Sequence, residues 1–217
     1  HRYRLDLRDL SIEQKNICKI PFKVMLKYAY SIFISSPGFE RCLPNGFKYN
    51  ISHNFDIDIV NNYIDGANNV NLPVPINVLT IGGIRNFQSN VEVVKALGNQ
   101  KNFKMRFVGK GGAAPMIENF AKENDIKNIS FIGYYDKKDE PKYITNSTFM
   151  NIYLPWVISH ETLLSNRFYC SLIYKKPMIV NKGTVQGDYC EEYDLGVALE
   201  NCDRLDKKLE EYLNTLD

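Results

Sequence analysis

Several signatures of common enzyme classes are missing from this 217-residue sequence. It has no Walker-type lysine motif and no Gly-x-Gly-x-x-Gly run opening a helix after its first long apolar strand, so two frequent nucleotide-binding fingerprints are excluded. Its five cysteines are widely spaced with no C-x-x-C pair, and it has only three histidines. This argues against a structural metal site and for a reducing compartment. Ser165 and Ser171 have no histidine at a useful spacing, so a Ser/His/Asp site is not supported.

Long hydrophobic runs are also missing. No apolar segment approaches the roughly 20 residues needed to cross a bilayer, and no signal peptide is visible, so we expect a cytoplasmic protein. The formal net charge is only +2, and we expect no nucleic-acid partner. The charge is unevenly distributed, because residues 1–50 hold nine Lys and Arg against four Asp and Glu. This basic end indicates an anionic partner, for which a membrane surface is one option.

Lysines repeat every four residues in the basic end, at Lys15, Lys19, Lys23 and Lys27. On a helix predicted from about Ser11 to Ile34, which Pro21 restarts, they form a nearly continuous stripe. Such a stripe is ordinarily a solvated helix face. The alternative is contact with anionic lipid headgroups, which would place the protein peripherally on the inner face of the membrane.

Apolar strands alternate with amphipathic helices from Ile76 onward. The strands are predicted within "INVLTIGG", "FKMRFVGKGG", "NISFIGYY", "TFMNIYLP" and "PMIVNKG". Because these strands are apolar on both faces, the pattern predicts an α/β fold with a doubly wound parallel sheet. Its ligand should lie in the loops at the carboxyl ends of the strands. Residues 56–75 are polar and end in "LPVP", which is typical of a linker.

The first two of these strands end in glycines, and Arg85 follows the first. Without side chains at Gly82 and Gly83, a diphosphate can approach the backbone, and an arginine can pair with its oxygens. The glycine loop beginning with Gly109 and Lys110 is weaker evidence, because a tight strand-to-helix turn has the same composition.

The motifs "IGGIRNF", "MRFVGKGG", "NISFIGYY", "NRFYCSLIYKKPMIV" and "GTVQGDYCEEYDLGV" together resemble the nucleotide-sugar-binding C-terminal half of GT-B glycosyltransferases. The resemblance is to the retaining bacterial enzymes that build capsule and lipopolysaccharide chains. Nearer the start, "DLRD", "FISSPGFERCLP" and "YNISHN" resemble the last third of that family's N-terminal domain. The resemblance implies a remnant of the acceptor-binding domain at 1–55, a hinge at 56–75 and a Rossmann-like nucleotide-sugar-binding domain at 76–217.

A metal-independent hexosyltransferase is the activity that this resemblance implies. It would move a sugar from a nucleoside diphosphate to a glycan or lipid-linked glycan hydroxyl in cell-surface polysaccharide synthesis, with no cofactor besides the donor substrate. The charge of Arg85 would replace a metal ion by stabilising the departing diphosphate. As a truncated chain, the protein is expected to bind nucleotide without transferring the sugar, because most acceptor contacts would be missing.

The resemblance also implies individual site residues. His160 and Glu161 would contact the donor sugar and are the predicted catalytic residues. A helix beginning near Glu161 and Thr162 would direct amide donors at the phosphates. The predicted donor-binding residues are Gly82, Gly83, Arg85, Gly109, Lys110, Gly133, Tyr134, Thr162, Asn166, Arg167 and Cys170.

Two positions depart from the family's pattern. Many relatives carry a lysine where this chain has Asn90, and an acidic residue that accepts hydrogen bonds from ribose hydroxyls where it has Cys170, a poor acceptor. Cys170 is either a small buried core residue or part of a site wall with an altered ribose contact. These departures keep open a non-catalytic nucleotide-binding or scaffold domain. A sugar-nucleotide epimerase is a further alternative, although the chain offers few acid/base groups for it.

Overall fold

The computed structural model describes residues 3–8, 19–53, 55, 57–61 and 74–216. Two parallel sheets organise these residues. The smaller sheet has the order β1-β2-β3, with strands β1 (Arg4–Leu7), β2 (Ser31–Ile34) and β3 (Tyr49–Ile51). Helix α1 (Lys19–Tyr28) connects the first two strands and buries Leu26 against them.

Strand β2 shows that the predicted helix from Ser11 to Ile34 is wrong at its C-terminal end. Ile32 and Ile34 are buried, whereas Ser31 and Phe33 are partly exposed. This alternation has the period of two residues that a strand imposes, and the β-branched isoleucines fit it. Residues 11–18, including Lys15, lie outside the described residues.

The larger sheet has six parallel strands in the order β6-β5-β4-β7-β8-β9. The strands are β4 (Ile76–Ile81), β5 (Phe103–Val108), β6 (Ile129–Ile132), β7 (Phe149–Asn151), β8 (Met178–Asn181) and β9 (Gly196–Leu199). The helices after α1 are α2 (Asp58–Asn61), α3 (Phe87–Leu97), α4 (Ala114–Glu123), α5 (Glu140–Thr145), α6 (Ile158–Thr162), α7 (Asn166–Ile173), α8 (Val185–Glu192) and α9 (Leu205–Asn214).

Both faces of the larger sheet are covered by helices. Val78 of β4 packs in a core with α3, α4 and α9, whereas its neighbour Leu79 packs in a second core with α7 and α8. Successive side chains of a strand point to opposite faces, so apolar residues are needed at both positions. The structure confirms the predicted doubly wound parallel sheet.

The strand order places a switch point in the middle of the larger sheet. Strand β4 pairs with β5 on one side and with β7 on the other, and the chain moves outward in opposite directions from there. Loops after β4 and β7 therefore diverge and leave a crevice at the carboxyl ends of the strands. In open α/β sheets this crevice is where ligands bind.

The smaller sheet is attached to α6 and α8 of the larger unit. The buried Ser36 hydroxyl donates to the carbonyl of Thr162 at 2.5 Å, and Arg41 forms an ion pair with Asp188. Within the predicted linker at 56–75, residues 58–61 form the short helix α2, and residues 62–73 lie outside the described residues. Within the described ranges, no helix has the length and apolar character that crossing a membrane requires.

Candidate functional site

A cavity of about 380 Å³ lies at the switch point. The glycine turn after β4 forms one wall, the β7–α6 loop forms another, and the first turn of α7 closes the third side. Seven predicted site residues line this cavity: Gly82, Gly83, Arg85, His160, Asn166, Arg167 and Cys170. Residues that are far apart in the sequence therefore meet where the strand order predicts a ligand.

A second cavity of about 350 Å³ adjoins the first and shares Gly82 and Gly83 with it. Three further predicted residues line it: Gly109, Lys110 and Tyr134. The Tyr134 side chain is 77% exposed, and the Lys110 ammonium lies 5.4 Å from the centre of its ring. An exposed aromatic face beside a cation offers a stacking surface for a planar, electron-rich group.

Arg167 joins helix α7 to the glycine turn. Its Nε donates to the carbonyl of Ile81 at 2.5 Å, and its Nη2 donates to the carbonyl of Gly83 at 2.9 Å. Burial lowers the pKa of Arg167 to about 10, so the guanidinium stays charged at neutral pH. Of its five N–H groups, two bind these carbonyls. The other three can bind an anion in the cavity.

The start of α7 is set by local hydrogen bonds around Ser165. The Ser165 hydroxyl accepts from the amide of Phe168 and donates to Gln186 Oε1 at 2.6 Å. Gln186 is buried on α8, so the first turn of α7 is held from the neighbouring helix. This arrangement positions Arg167 and holds the first turn of α7 in the cavity wall.

At the position where many relatives have a lysine, this chain has the uncharged Asn90. Its Nδ2 donates to the carbonyl of Asn86 at 2.5 Å, and the residue is buried at the cavity wall. Asn86 in turn caps α3 by accepting from the amide of Ser89. The amide therefore stabilises the turn after β4, and the positive charge in this cavity comes from Arg85, Arg167 and Lys137.

Helix α6 begins at Ile158, so the prediction that a helix starts near Glu161 and Thr162 is wrong. These two residues end α6, and the helix whose first turn lines the cavity is α7. The sequence pattern misleads because α6 has only five residues, too short for a helical repeat to appear. The Thr162 hydroxyl donates to the carbonyl of Ile158 at 3.0 Å, and Thr162 does not line either cavity.

The two predicted catalytic residues lie on different sides of α6. His160 lines the first cavity, and its Nδ1 pairs with the carbonyl of Pro155 at 3.0 Å. With a proton on Nδ1, its Nε2 is an acceptor. Glu161 lines neither cavity and lies near Cys42, whose pKa is raised first by burial and then by the Glu161 charge. Gly133 likewise lines neither cavity.

Cys170 is both buried and part of the cavity wall. It is 3% exposed, packs in the core with α7 and α8, and lines the first cavity. Its Sγ lies 3.9 Å from Oε1 of Glu140. Cys170 is therefore a buried core residue that also lines the cavity, and the altered ribose contact stays a prediction. The charged group next to it comes from a different element.

Among the cavity residues that are absent from the predicted site are three with functional side chains that follow β6: Tyr135, Lys137 and Glu140. The available signal was their position, because they follow β6 and so belong to the loops at the carboxyl edge of the sheet. Tyr135 donates to Glu140 Oε2 at 2.6 Å, and Lys137 donates to Glu140 Oε1 at 2.6 Å. Burial, followed by the hydrogen bond with Glu140, raises the pKa of Tyr135, so its hydroxyl remains a donor.

The glycine loops after β4 and β5 touch through their backbones. A Cβ atom on Gly109 would lie 2.1 Å from the carbonyl oxygen of Gly82, and one on Gly111 would lie 2.0 Å from that of Ile84. Gly82 donates its amide to the carbonyl of Val108, which leaves the Gly83 amide for a ligand. Among the described residues, no group of three or more His, Cys, Asp and Glu side chains is arranged to hold a metal ion.

Comparisons with known proteins place this architecture in a structural class. No protein-family model matches the sequence, and no curated protein matches it. Solved structures do match. HepE from Anabaena, in complex with UDP, superposes with a TM-score of 0.73 at 11% sequence identity, over 99% of this chain and 63% of HepE.

Two further structures share the same arrangement. TarM from S. aureus, in a complex that includes UDP, has a TM-score of 0.64 at 10% identity, over 94% of this chain and 41% of TarM. Sucrose-phosphate synthase from Thermosynechococcus elongatus has a TM-score of 0.61 at 16% identity, over 94% of this chain and 54% of the synthase. The chain thus spans less than two thirds of each of these structures, and its fold is that of GT-B glycosyltransferases.

Proposed function

We propose that this chain is the donor-binding half of a GT-B glycosyltransferase, which moves a sugar from a nucleoside diphosphate to a hydroxyl group of a glycan. The observation that carries the proposal is the position of Arg167, whose guanidinium is held against the glycine turn inside the switch-point cavity. A fixed cation beside free backbone amides is suited to a diphosphate. The structures of HepE and TarM, which contain UDP, agree with this ligand class.

Each part of the donor has a matching element. The diphosphate would lie between the Gly83 amide, Arg85, Arg167 and the first turn of α7. The base would stack on Tyr134 beside Lys110, in the second cavity. The donor sugar would lie near His160, the predicted catalytic residue that lines the first cavity.

Charge stabilisation is the mechanism that these residues support. As the bond between the sugar and the diphosphate breaks, negative charge grows on the leaving phosphate oxygens. Arg167, which is held against the glycine turn, and Arg85 at the rim would stabilise this charge, and we propose that they do so without a metal ion. His160 would present its Nε2 to the sugar, where it can accept a hydrogen bond from a hydroxyl. Glu161 is proposed to act from the acceptor side, since its charge raises the pKa of Cys42 in the segment proposed as the acceptor-binding remnant.

The domain organisation forms part of the proposal. Residues 1–55 would be the remnant of the acceptor-binding domain, 56–75 the hinge and 76–217 the nucleotide-sugar-binding domain. The acceptor would be a glycan or a lipid-linked glycan of a cell-surface polysaccharide. The chain spans only part of the GT-B structures it matches, so we propose donor-nucleotide binding for this chain and hexose transfer for the whole enzyme.

Arg85→Ala is expected to weaken UDP binding about tenfold. Arg85 lies at the exposed rim of the cavity, and losing one charge-assisted hydrogen bond costs about 1.5 kcal/mol. Calorimetric titration with UDP, GDP and ADP measures the effect and identifies the base. Lys101→Ala is the matched control, since it removes an exposed cation just before β5, at the opposite edge of the sheet.

Two results would contradict the proposal. If the wild-type chain binds none of the three diphosphates, a scaffold function replaces donor binding. If binding occurs but Arg85→Ala and Lys101→Ala have the same affinity as the wild type, the diphosphate lies elsewhere.

A peripheral membrane position is proposed for the α1 surface. Lys23 and Lys27 are exposed on α1, and Val24, Met25 and Tyr28 are exposed between them. Exposed cations with apolar and aromatic side chains suit an anionic bilayer surface. The structure describes no side chain for Lys19, and Lys15 lies outside the described residues.

Sedimentation with vesicles that contain anionic phosphatidylglycerol measures this property. We expect binding at low ionic strength that declines as salt is added, and a several-fold loss in the double variant Lys23→Glu, Lys27→Glu. The control double variant Lys101→Glu, Lys127→Glu makes the same charge change on another exposed surface. Equal binding by both double variants, or no binding by the wild type, would rule out the α1 surface as a membrane contact.

A further inference from the structure

One carboxylate in the wall of the first cavity has no role in phosphate binding. Glu140 opens helix α5 and is 7% exposed, although glutamates are seldom this buried unless they are paired. It lines the same cavity as Arg85 and Arg167. A negative group beside a proposed anion site repels the anion. Its presence in the wall is therefore best explained if it binds another part of the ligand.

Two hydrogen bonds hold the Glu140 carboxylate in one orientation. Tyr135 donates to one oxygen and Lys137 to the other, each at 2.6 Å. Each carboxylate oxygen has two acceptor positions. The Cys170 thiol, a weak donor, takes the second position on Oε1 at 3.9 Å, so the open position is on Oε2, and a hydroxyl could replace the thiol on Oε1. The Lys137 charge offsets the repulsion between the carboxylate and a nearby phosphate.

The position of Glu140 relative to α7 defines what it can meet. Its Oε1 lies 3.9 Å from Sγ of Cys170, which follows Arg167 by three residues and so lies about one turn further along α7. Arg167 points to the glycine turn at the end of β4. The carboxylate therefore lines the cavity about one turn of α7 beyond Arg167, the proposed diphosphate ligand.

The Glu140 carboxylate can only accept hydrogen bonds. Because it lies near the proposed phosphate site, it favours a ligand that has hydroxyl donors next to its phosphates. In a nucleoside diphosphate, the ribose hydroxyls are the donors closest to the phosphates. We propose that Glu140, oriented by Tyr135 and Lys137, accepts hydrogen bonds from the ribose hydroxyls of the donor nucleotide. This inference rests on the proposed function of the cavity, and it makes the site selective for ribonucleotides.

The test compares each ribonucleotide with its deoxy forms. UDP, GDP and ADP are titrated into the full chain beside their 2′-deoxy and 3′-deoxy analogues. For the wild-type protein, we take the ribonucleotide whose base binds best. Its deoxy analogue that lacks a contacted hydroxyl should bind between about tenfold and a hundredfold more weakly, because the bond is made to a buried charge. In Glu140→Gln this ratio should fall to about threefold or less, because a neutral amide oxygen is a weaker acceptor.

Glu118→Gln is the matched control. It makes the same chemical change and also breaks a pair with a lysine on a helix, since Glu118 binds Lys122 at 2.9 Å on α4. Its ribose-to-deoxyribose ratio should equal that of the wild type. Tyr135→Phe is a second variant, which keeps the carboxylate but removes one of the groups that orient it, and it should give an intermediate ratio.

The outcomes separate this inference from the proposed function. No binding of any diphosphate by the wild type overturns both. Binding in which the wild type does not distinguish the deoxy analogues overturns the ribose contact alone. An unchanged ratio in Glu140→Gln, or in Tyr135→Phe where Glu140→Gln does not fold, shows that the carboxylate only stabilises the turn between Lys137 and α5.

Discussion

Replacing Arg167 with alanine is expected to weaken nucleoside diphosphate binding about a hundredfold. The change removes a fixed cation from the cavity, and hydrogen bonds to charged groups contribute about 1.5–3 kcal/mol each. It also removes the donors to the carbonyls of Ile81 and Gly83, so the glycine turn loses its contact with α7. The two effects act on the same ligand group, and a loss of about 3 kcal/mol corresponds to the hundredfold change.

Arg167→Lys separates the two contributions. Lysine keeps the charge but cannot donate in the fork geometry that reaches both carbonyls, so affinity should recover only in part. Calorimetric titration measures both variants, with thermal unfolding to show that each is folded. If Arg167→Ala binds UDP, GDP or ADP within twofold of the wild type, Arg167 is a structural clamp and the diphosphate does not lie at the glycine turn.

Gly109→Ala is expected to destabilise the protein by about 3–5 kcal/mol and to abolish nucleotide binding. Gly109 has a φ of +123°, a conformation that costs an L-residue about 1–3 kcal/mol. The new Cβ would also lie 2.1 Å from the carbonyl oxygen of Gly82, and such overpacking costs a further 1–3 kcal/mol or so. Relief of the overlap would move the turn after β4, which forms the wall of both cavities.

Gly112→Ala is the control for this change. It lies in the same loop, and a Cβ atom there would meet nothing within 4 Å. Urea unfolding should therefore give a stability within about 1 kcal/mol of the wild type. A Gly109→Ala variant that unfolds at the same urea concentration as Gly112→Ala would show that the two loops do not touch as the structure has them.

Much of the binding site was predictable because parallel strands end on one edge of a sheet. The glycines after β4 and β5, together with Arg85 and Tyr134, were assigned to that edge from the alternation of strands and helices, and Arg167 was added from the resemblance to GT-B glycosyltransferases. The structure brings them to two adjoining cavities. Their individual roles in binding remain predictions, which the titrations above test.

Contacts between distant residues were not predictable in the same way. The sequence shows Glu140 as an ordinary charged residue at the start of a short helix, and its burial depends on Tyr135 and on α7 packing against it. The start of α6 was missed because five residues are too few to show a helical period. Strand β2 was taken as the end of a helix because its partners, β1 and β3, are separated from it along the chain.

The sequence by itself determined the α/β class, the parallel sheet and the loops that line the candidate site, because hydrophobic period and glycine position are local properties of the chain. Only the tertiary structure decided which groups share a cavity. Arg167 reaches Gly83 across 84 residues of sequence, and Cys170 lies beside Glu140 across 30. Such contacts depend on how helices pack across the sheet, and local patterns carry no information on that packing.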